Sequence, residues 1–168
     1  MGTIKDIINY YNEVPNNLNW AGLEKIMSEY NIQVKNFPFR AAGMAFNNKI
    51  YIDSRITSNV TSKQFYFIIL HEIAHNKRNR KYNIDEELVK LSKGDFEVFF
   101  EYVINEEIIA DRYAKQLYYY LNNEVSNYDQ RLHQPIYKSR YRDNARQTYN
   151  MLPNTLEEFE TMLTKMFN

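Results

Sequence analysis

The chain has 168 residues, and its 21 basic and 21 acidic side chains give a formal net charge of zero near neutral pH. A chain of this length ordinarily forms one domain, and its balanced charge gives no overall field that would favour nucleic acid or a membrane surface. The absence of cysteine excludes disulfides, thiol catalysis and cysteine-based zinc ribbons. Because no signal peptide is visible and the longest apolar run, Phe65 to Leu70, is too short to cross a bilayer, we expect a soluble cytoplasmic protein without a membrane partner.

The first third of the chain predicts two helices followed by a small sheet. Residues 3–13 and 19–30 carry apolar side chains at helical spacing, each behind a capping residue. The period then changes to the alternation of strands over residues 32–37 and again over residues 41–53, where two consecutive asparagines at 47 and 48 indicate a hairpin turn. We expect an antiparallel sheet of about three strands.

A helix carrying an HExxH motif at residues 71–75 is the element around which we expect the fold to be organised. A Thr-x-x-Gln capping box at residues 61–64 begins this helix, and six aliphatic or aromatic residues precede His71, so the helix belongs inside the domain. His71 and His75 lie on one face, where two imidazoles can bind one zinc ion and Glu72 can act on water as a general base. Chance alone produces such a pattern in on the order of 1% of chains this long. Burying these groups is costly unless a metal satisfies them, so we predict a metal site.

A long helix from a cap at Asp95 to about Leu121 is predicted to supply the rest of the site. Its apolar stripe is interrupted by one charged residue, Glu107, which needs either a cation or a buried ion pair, for example with Arg112. Asp111 lies one turn further on. It is either an acidic residue on the helix surface or the acceptor for the ring N–H of a histidine whose other nitrogen binds the metal. Two histidines and one glutamate, with water in the fourth position, are typical of a catalytic rather than a structural zinc site.

Two basic stretches, residues 76–81 and the tyrosine-containing region 131–146, could contact an acidic substrate or nucleic acid. Solvated helix surfaces explain both stretches better, because the first lies at a helix C-terminus and the second is mixed with acidic residues. We therefore expect no specific nucleic-acid partner, although a nucleic-acid-binding protein remains a third hypothesis for the function.

The C-terminal part predicts two more helices. One covers residues 128–150 with a break at Pro135, and the other opens at Thr155. His133, the one histidine outside the motif, is either structural or a candidate for stabilising an oxyanion, and a tyrosine is the other candidate.

The motifs His71-Glu72-Ile73-Ala74-His75 and Glu107-Ile108-Ile109-Ala110-Asp111-Arg112-Tyr113-Ala114 together resemble the ImmA/IrrE family of gluzincin metallopeptidases. The similarity covers roughly Ile32 to Leu121. It implies an α+β, zincin-like (minimal gluzincin) domain, with a small antiparallel three-stranded sheet and a mostly helical remainder. In this interpretation residues 1–168 form a single domain, with a catalytic core at about 32–121 and a helical extension at 122–168.

Carried over by position, the resemblance implies that His71, His75 and Glu107 bind Zn2+ and that Glu72 is the general base. Asp111 matches the aspartate that orients a ligating histidine in gluzincins. Members of the family are bacterial or encoded by phages and mobile elements, and several are associated with cleaving or inactivating a helix-turn-helix repressor. The resemblance therefore implies a zinc-dependent endopeptidase whose protein substrate could be a transcriptional repressor. The alternative is a zinc-containing regulatory binding protein, an anti-repressor that sequesters its partner without obligatory proteolysis.

Overall fold

The computed structural model describes residues 2–128 and 135–168, and this part of the chain is α+β and mostly helical, as predicted. Its helices are α1 (Ile4–Glu13), α2 (Trp20–Met27), α3 (Ser62–Tyr82), α4 (Ile84–Leu91), α5 (Phe96–Asn122), α6 (Pro135–Met151) and α7 (Leu156–Phe167). Its strands are β1 (Asn31–Lys35), β2 (Gly43–Phe46) and β3 (Lys49–Asp53), and a short 3-10 helix follows at Ile56–Ser58. No helix within the described residues combines the length and the apolar character that crossing a membrane requires.

Five of the described helices, α1, α2, α3, α5 and α7, begin at a capping side chain. Thr3 and Thr61 form capping boxes, in which the threonine hydroxyl accepts the backbone N–H of the residue three positions on. Asn19, Asp95 and Thr155 accept backbone N–H groups at the starts of α2, α5 and α7 in the same way. These caps satisfy backbone donors that the first turn of a helix leaves without a partner. Local chemistry thus explains the predicted helix starts.

The sheet is mixed, and the prediction of an antiparallel sheet was wrong in one of its two pairings. β2 and β3 form the predicted hairpin, and the turn residues Asn47 and Asn48 both have positive φ, 46° and 62°. β1 pairs with β3 in parallel, residues 31–35 against 49–53, so the strand order is β1-β3-β2. The chain crosses over through residues 36–42 and places β3, the most completely buried strand, in the centre. Alternating polarity shows which residues form strands but not which edge of a hairpin a preceding strand joins.

The HExxH helix α3 lies in the middle of the domain. It packs against α5 on one side and against the sheet on the other, and its residues 65–70 are all buried. Ile50 and Ile52 of β3 belong to the core cluster around α3, whereas Tyr51 points to the opposite face and packs with Leu163 of α7. α6 packs along α5. The C-terminal helices therefore cover the same sheet and long helix that carry the predicted site.

Candidate metal centre

The structure brings His71, His75 and Glu107 together between α3 and α5. His71 Nε2 lies 3.0 Å from Glu107 Oε2, His75 Nε2 lies 3.0 Å from Glu107 Oε1, and the two Nε2 atoms are 3.0 Å apart. One ligand atom from each residue can be chosen so that all lie within 4.8 Å of one another. Because the donor atoms of these three side chains face one small space, the group could bind a metal ion.

The pKa values of His71 and Glu107 are shifted in opposite directions. Burial alone would lower the pKa of His71, but hydrogen bonds to Asp111 and Glu107 raise that pKa well above its ordinary value. Burial alone would raise the pKa of Glu107, but His75 and His71 hold it well below its ordinary value. These opposite shifts favour a proton on His71 and a negative charge on Glu107, and a metal cation that bound there would compete with that proton.

Asp111 lies one turn along α5 from Glu107 and reaches the other side of the His71 ring. Its Oδ1 is 2.7 Å from His71 Nδ1, and both side chains are largely buried. When the ring is neutral, a carboxylate at Nδ1 holds the remaining ring proton there, so the lone pair that could bind a metal lies on Nε2. The geometry thus places Asp111 where its predicted role in orienting a histidine requires it.

Glu72 is held between α3 and strand β2. The residue is 8% exposed. Burial raises the pKa of Glu72, and the neighbouring histidines partly oppose this increase. The side chain passes directly over Gly43, where an added Cβ would lie 3.0 Å from Glu72 Cγ and 3.2 Å from Oε1. The absence of a side chain at position 43 therefore leaves the space that Glu72 occupies.

A cavity of about 650 Å³ opens beside these groups and runs between β2 and the C-terminal helices. The metal-centre side chains and Glu72 line its polar part. Its apolar part is lined by Met44, Phe159, Met162, Leu163 and Met166. The cavity thus combines a reactive polar end with a surface that suits apolar side chains of a polypeptide.

Sequence reasoning missed Tyr141, which reaches the centre from α6. Its side chain lines the cavity, and burial followed by the charge of Glu107 raises its pKa well above the ordinary value. Tyr141 belongs to the basic region that was predicted to be a solvated surface, and no local pattern distinguishes it there. His133, the predicted candidate for oxyanion stabilisation, lies outside the described residues.

The basic residues around Tyr141 pack against α5. Lys138 Nζ is 2.9 Å from Glu101 Oε1, and Arg142 forms an ion pair with Glu97. The Arg146 guanidinium lies 3.4 Å from the centroid of the Phe96 ring. The expectation that this region has no specific nucleic-acid partner stays a prediction, but these contacts give its charges a role in holding α6.

Comparisons with known protein families, curated proteins and solved structures found no match for this chain. The resemblance carried by the HExxH and Glu-x-x-Ala-Asp motifs therefore stays a prediction. The function has to be inferred from the arrangement of His71, His75, Glu107 and Glu72.

Proposed function

We propose that the protein is a zinc-dependent endopeptidase. The observation that carries this proposal is the convergence of His71, His75 and Glu107, with Glu72 held beside them. Two imidazoles and one carboxylate form a donor set of catalytic zinc sites, which keep one position open, whereas structural sites use four protein ligands. Bonds of 2.0–2.1 Å in tetrahedral geometry separate neighbouring ligand atoms by about 3.3 Å. The 3.0 Å between His71 Nε2 and His75 Nε2 is close to this value. Each histidine lies 3.0 Å from a different oxygen of Glu107, and one ligand atom from each residue lies within 4.8 Å of the other two.

The same three donors could also hold ferrous iron in an oxygenase. The buried Glu72 favours hydrolysis over that alternative, because a carboxylate beside the metal ligands is the proton acceptor that water attack requires. The contact of Asp111 with His71 Nδ1 would raise the affinity of the site for either metal, because it orients the histidine ring. Metal analysis therefore tests the choice between the two ions.

Glu72 carries out the proton transfers in this proposal. A zinc ion held by the three ligands would supply Lewis acidity, lowering the pKa of water and polarising the scissile carbonyl. The Glu72 carboxylate accepts the proton of the attacking water and then gives it to the leaving amine. Burial raises the pKa of Glu72, which suits a group that both accepts and returns a proton.

The edge of β2 can hold the substrate as an added strand. In the β2–β3 pair, Ala42 O accepts the backbone N–H of Asp53. Alternate residues of an antiparallel strand bond the partner strand, so Gly43 and Ala45 direct their backbone groups away from β3. β2 lies at the edge of the sheet and lines the cavity. A polypeptide bound there by strand addition would run past Glu72 and the metal ligands.

The proposed substrate is a protein in the cytoplasm, and the family resemblance points to a helix-turn-helix repressor of a phage or mobile element. The alternative is sequestration of the same repressor without cleavage. The buried Glu72 beside the metal ligands favours proteolysis, since a protein that only binds its partner has no need of a general base.

The variant Glu72→Gln separates the two functions. It keeps the size of the side chain but cannot accept a proton near neutral pH. We expect it to retain zinc and to cleave labelled casein and the candidate repressor about 10²–10⁴-fold more slowly than wild type. Glu86→Gln, an exposed substitution on α4, is the matched control and should cleave normally. Full derepression of a target promoter by Glu72→Gln, with the repressor intact on a gel, would establish sequestration and refute the protease.

A further inference from the structure

Four of the six methionines of this chain line the cavity beside the candidate metal centre. Met44 lies on β2, Met151 ends α6, and Met162 and Met166 lie one turn apart on α7. The side chains of Met44, Met162 and Met166 are half-buried, so the protein covers them in part and they remain open to the cavity. Methionine is flexible and polarisable, and methionine-rich surfaces accept apolar groups of different shapes. This part of the cavity is therefore suited to bind an apolar side chain from outside the chain.

The two faces of β2 are directed toward different parts of the cavity. Gly43 faces α3, because an added Cβ there would meet the side chain of Glu72. Met44 and Phe46 face α7, since both belong to the apolar cluster that contains Leu163. A strand added to the free edge of β2 continues this alternation. Of two consecutive substrate residues, one therefore directs its side chain toward α3 and the metal ligands, and the next directs its side chain toward α7.

On this basis we propose that Met44, Met162 and Met166 form a subsite, the methionine subsite, for one large apolar side chain of the substrate beside the scissile bond. This inference rests on the proposed peptidase function and names its substrate class: polypeptides with leucine, methionine or phenylalanine next to the bond that is cleaved. Gly43, under Glu72, and Met44 are consecutive in β2, so the subsite lies one residue from the bond on which Glu72 acts.

The helix α7 supplies two of these three methionines and is held firmly on the sheet. Phe159 packs edge-on against Phe46 of β2, with 4.3 Å between the ring centroids. Glu160 Oε1 lies 2.7 Å from Lys49 Nζ of β3. Because these contacts fix α7 before substrate binds, little of the binding energy is lost in ordering the subsite. The helix lies outside residues 32–121, over which the family resemblance extends, so this specificity belongs to the C-terminal part of the chain.

The test measures which residues flank the bonds that the zinc-loaded protein cleaves in a synthetic peptide library, with each cleavage site located by mass spectrometry. At one position beside the cleaved bond, wild type should favour leucine or methionine over alanine by about 10–200-fold in kcat/KM, because the smaller side chain leaves the subsite unfilled. Leucine and methionine should differ from each other by less than about tenfold, since their volumes are similar and the subsite adapts.

The variant Met162→Lys should change this preference by placing a cation in the subsite. For peptides with leucine at that position kcat/KM should fall by about tenfold or more, and for peptides with glutamate it should rise about 2–5-fold through ion pairing. Met166→Lys, one turn further along α7, should shift the preference in the same direction. Thr164→Lys is the matched control, because it adds the same charge at an exposed position of α7 and should keep the wild-type preference.

The outcomes separate this inference from the proposed function. A wild-type protein that cleaves peptides without regard to apolar residues beside the bond would overturn the inference and leave the peptidase intact. Lower stability of the two methionine variants with an unchanged leucine-to-glutamate ratio would also overturn it, because the methionines would then only pack α7. A wild-type protein that binds zinc but cleaves no peptide would instead refute the proposed function and this inference with it.

Discussion

The variant Gly43→Ala should slow catalysis by displacing Glu72, without touching any metal ligand. Gly43 does not have a positive φ, so the effect of an added methyl group is steric. The new Cβ would lie 3.0 Å from Glu72 Cγ and 3.2 Å from Ile68 Cγ2, whereas ordinary contacts of a Cβ are 3.4–4 Å. The Glu72 side chain must therefore move by at least about 0.4 Å to restore ordinary contact.

A displacement of this size has a measurable cost. Because misplacing a catalytic group by about 1 Å costs roughly 10²-fold in rate, we expect the turnover of labelled casein to fall about 10–100-fold. Overpacking should lower the free energy of unfolding by about 1 kcal/mol, and zinc content should be unchanged. Gly94→Ala is the control, because the nearest atom to its new Cβ, Leu91 O, is 3.7 Å away. Wild-type turnover by Gly43→Ala would refute the role of Glu72, and loss of zinc would show that the substitution acts on the ligands instead.

Three further predictions concern the surroundings of the metal ligands. Glu106→Ala should lower the free energy of unfolding by about 2 kcal/mol in urea denaturation, with normal zinc content, because Arg78 Nε loses a carboxylate 2.6 Å away. Asp111→Asn should lower zinc affinity about 10–100-fold in a chelator competition, and an unchanged affinity would contradict its contact with His71. In the metal-free protein, burial alone would lower the pKa of His71, but Asp111 and Glu107 raise it. Protonated His71 therefore stabilises the folded protein fully below the pKa of about 6.5 that histidine has in the unfolded chain, and this stabilisation is lost as pH rises through the raised pKa of the folded state. We expect the melting temperature of the metal-free protein to be lower at about pH 8 than at about pH 6.

Features that depend on neighbours in sequence could be predicted. The capping box at Thr61 and the spacing of His71 and His75 on one helical face are local, and the structure shows both. Glu107 was identifiable because it interrupts an apolar stripe, and the structure places it beside both histidines. The hairpin turn at residues 47–48 was identifiable because asparagine tolerates positive φ.

Features that depend on distant packing could not be predicted. Nothing within β1 indicates that it joins β3 in parallel, because pairing is decided by the crossover and by the burial of the whole sheet. Arg78 looked like one residue of a solvated basic stretch, yet it forms an ion pair with the buried Glu106 across to α5. Tyr141 lines the cavity only because α6 folds back on α5, and the ion pairs between these helices join residues 37 and 45 positions apart in sequence.

The zinc content of the purified protein tests the central claim most directly. After expression with added zinc, elemental analysis should find about one zinc per chain in wild type and in Glu72→Gln, since both keep His71, His75 and Glu107. The Glu107→Ala variant should bind zinc at least tenfold more weakly in competition with a chelator. A wild-type protein with native fold but without zinc, or a Glu107→Ala variant with unchanged zinc affinity, would contradict the assignment of this centre.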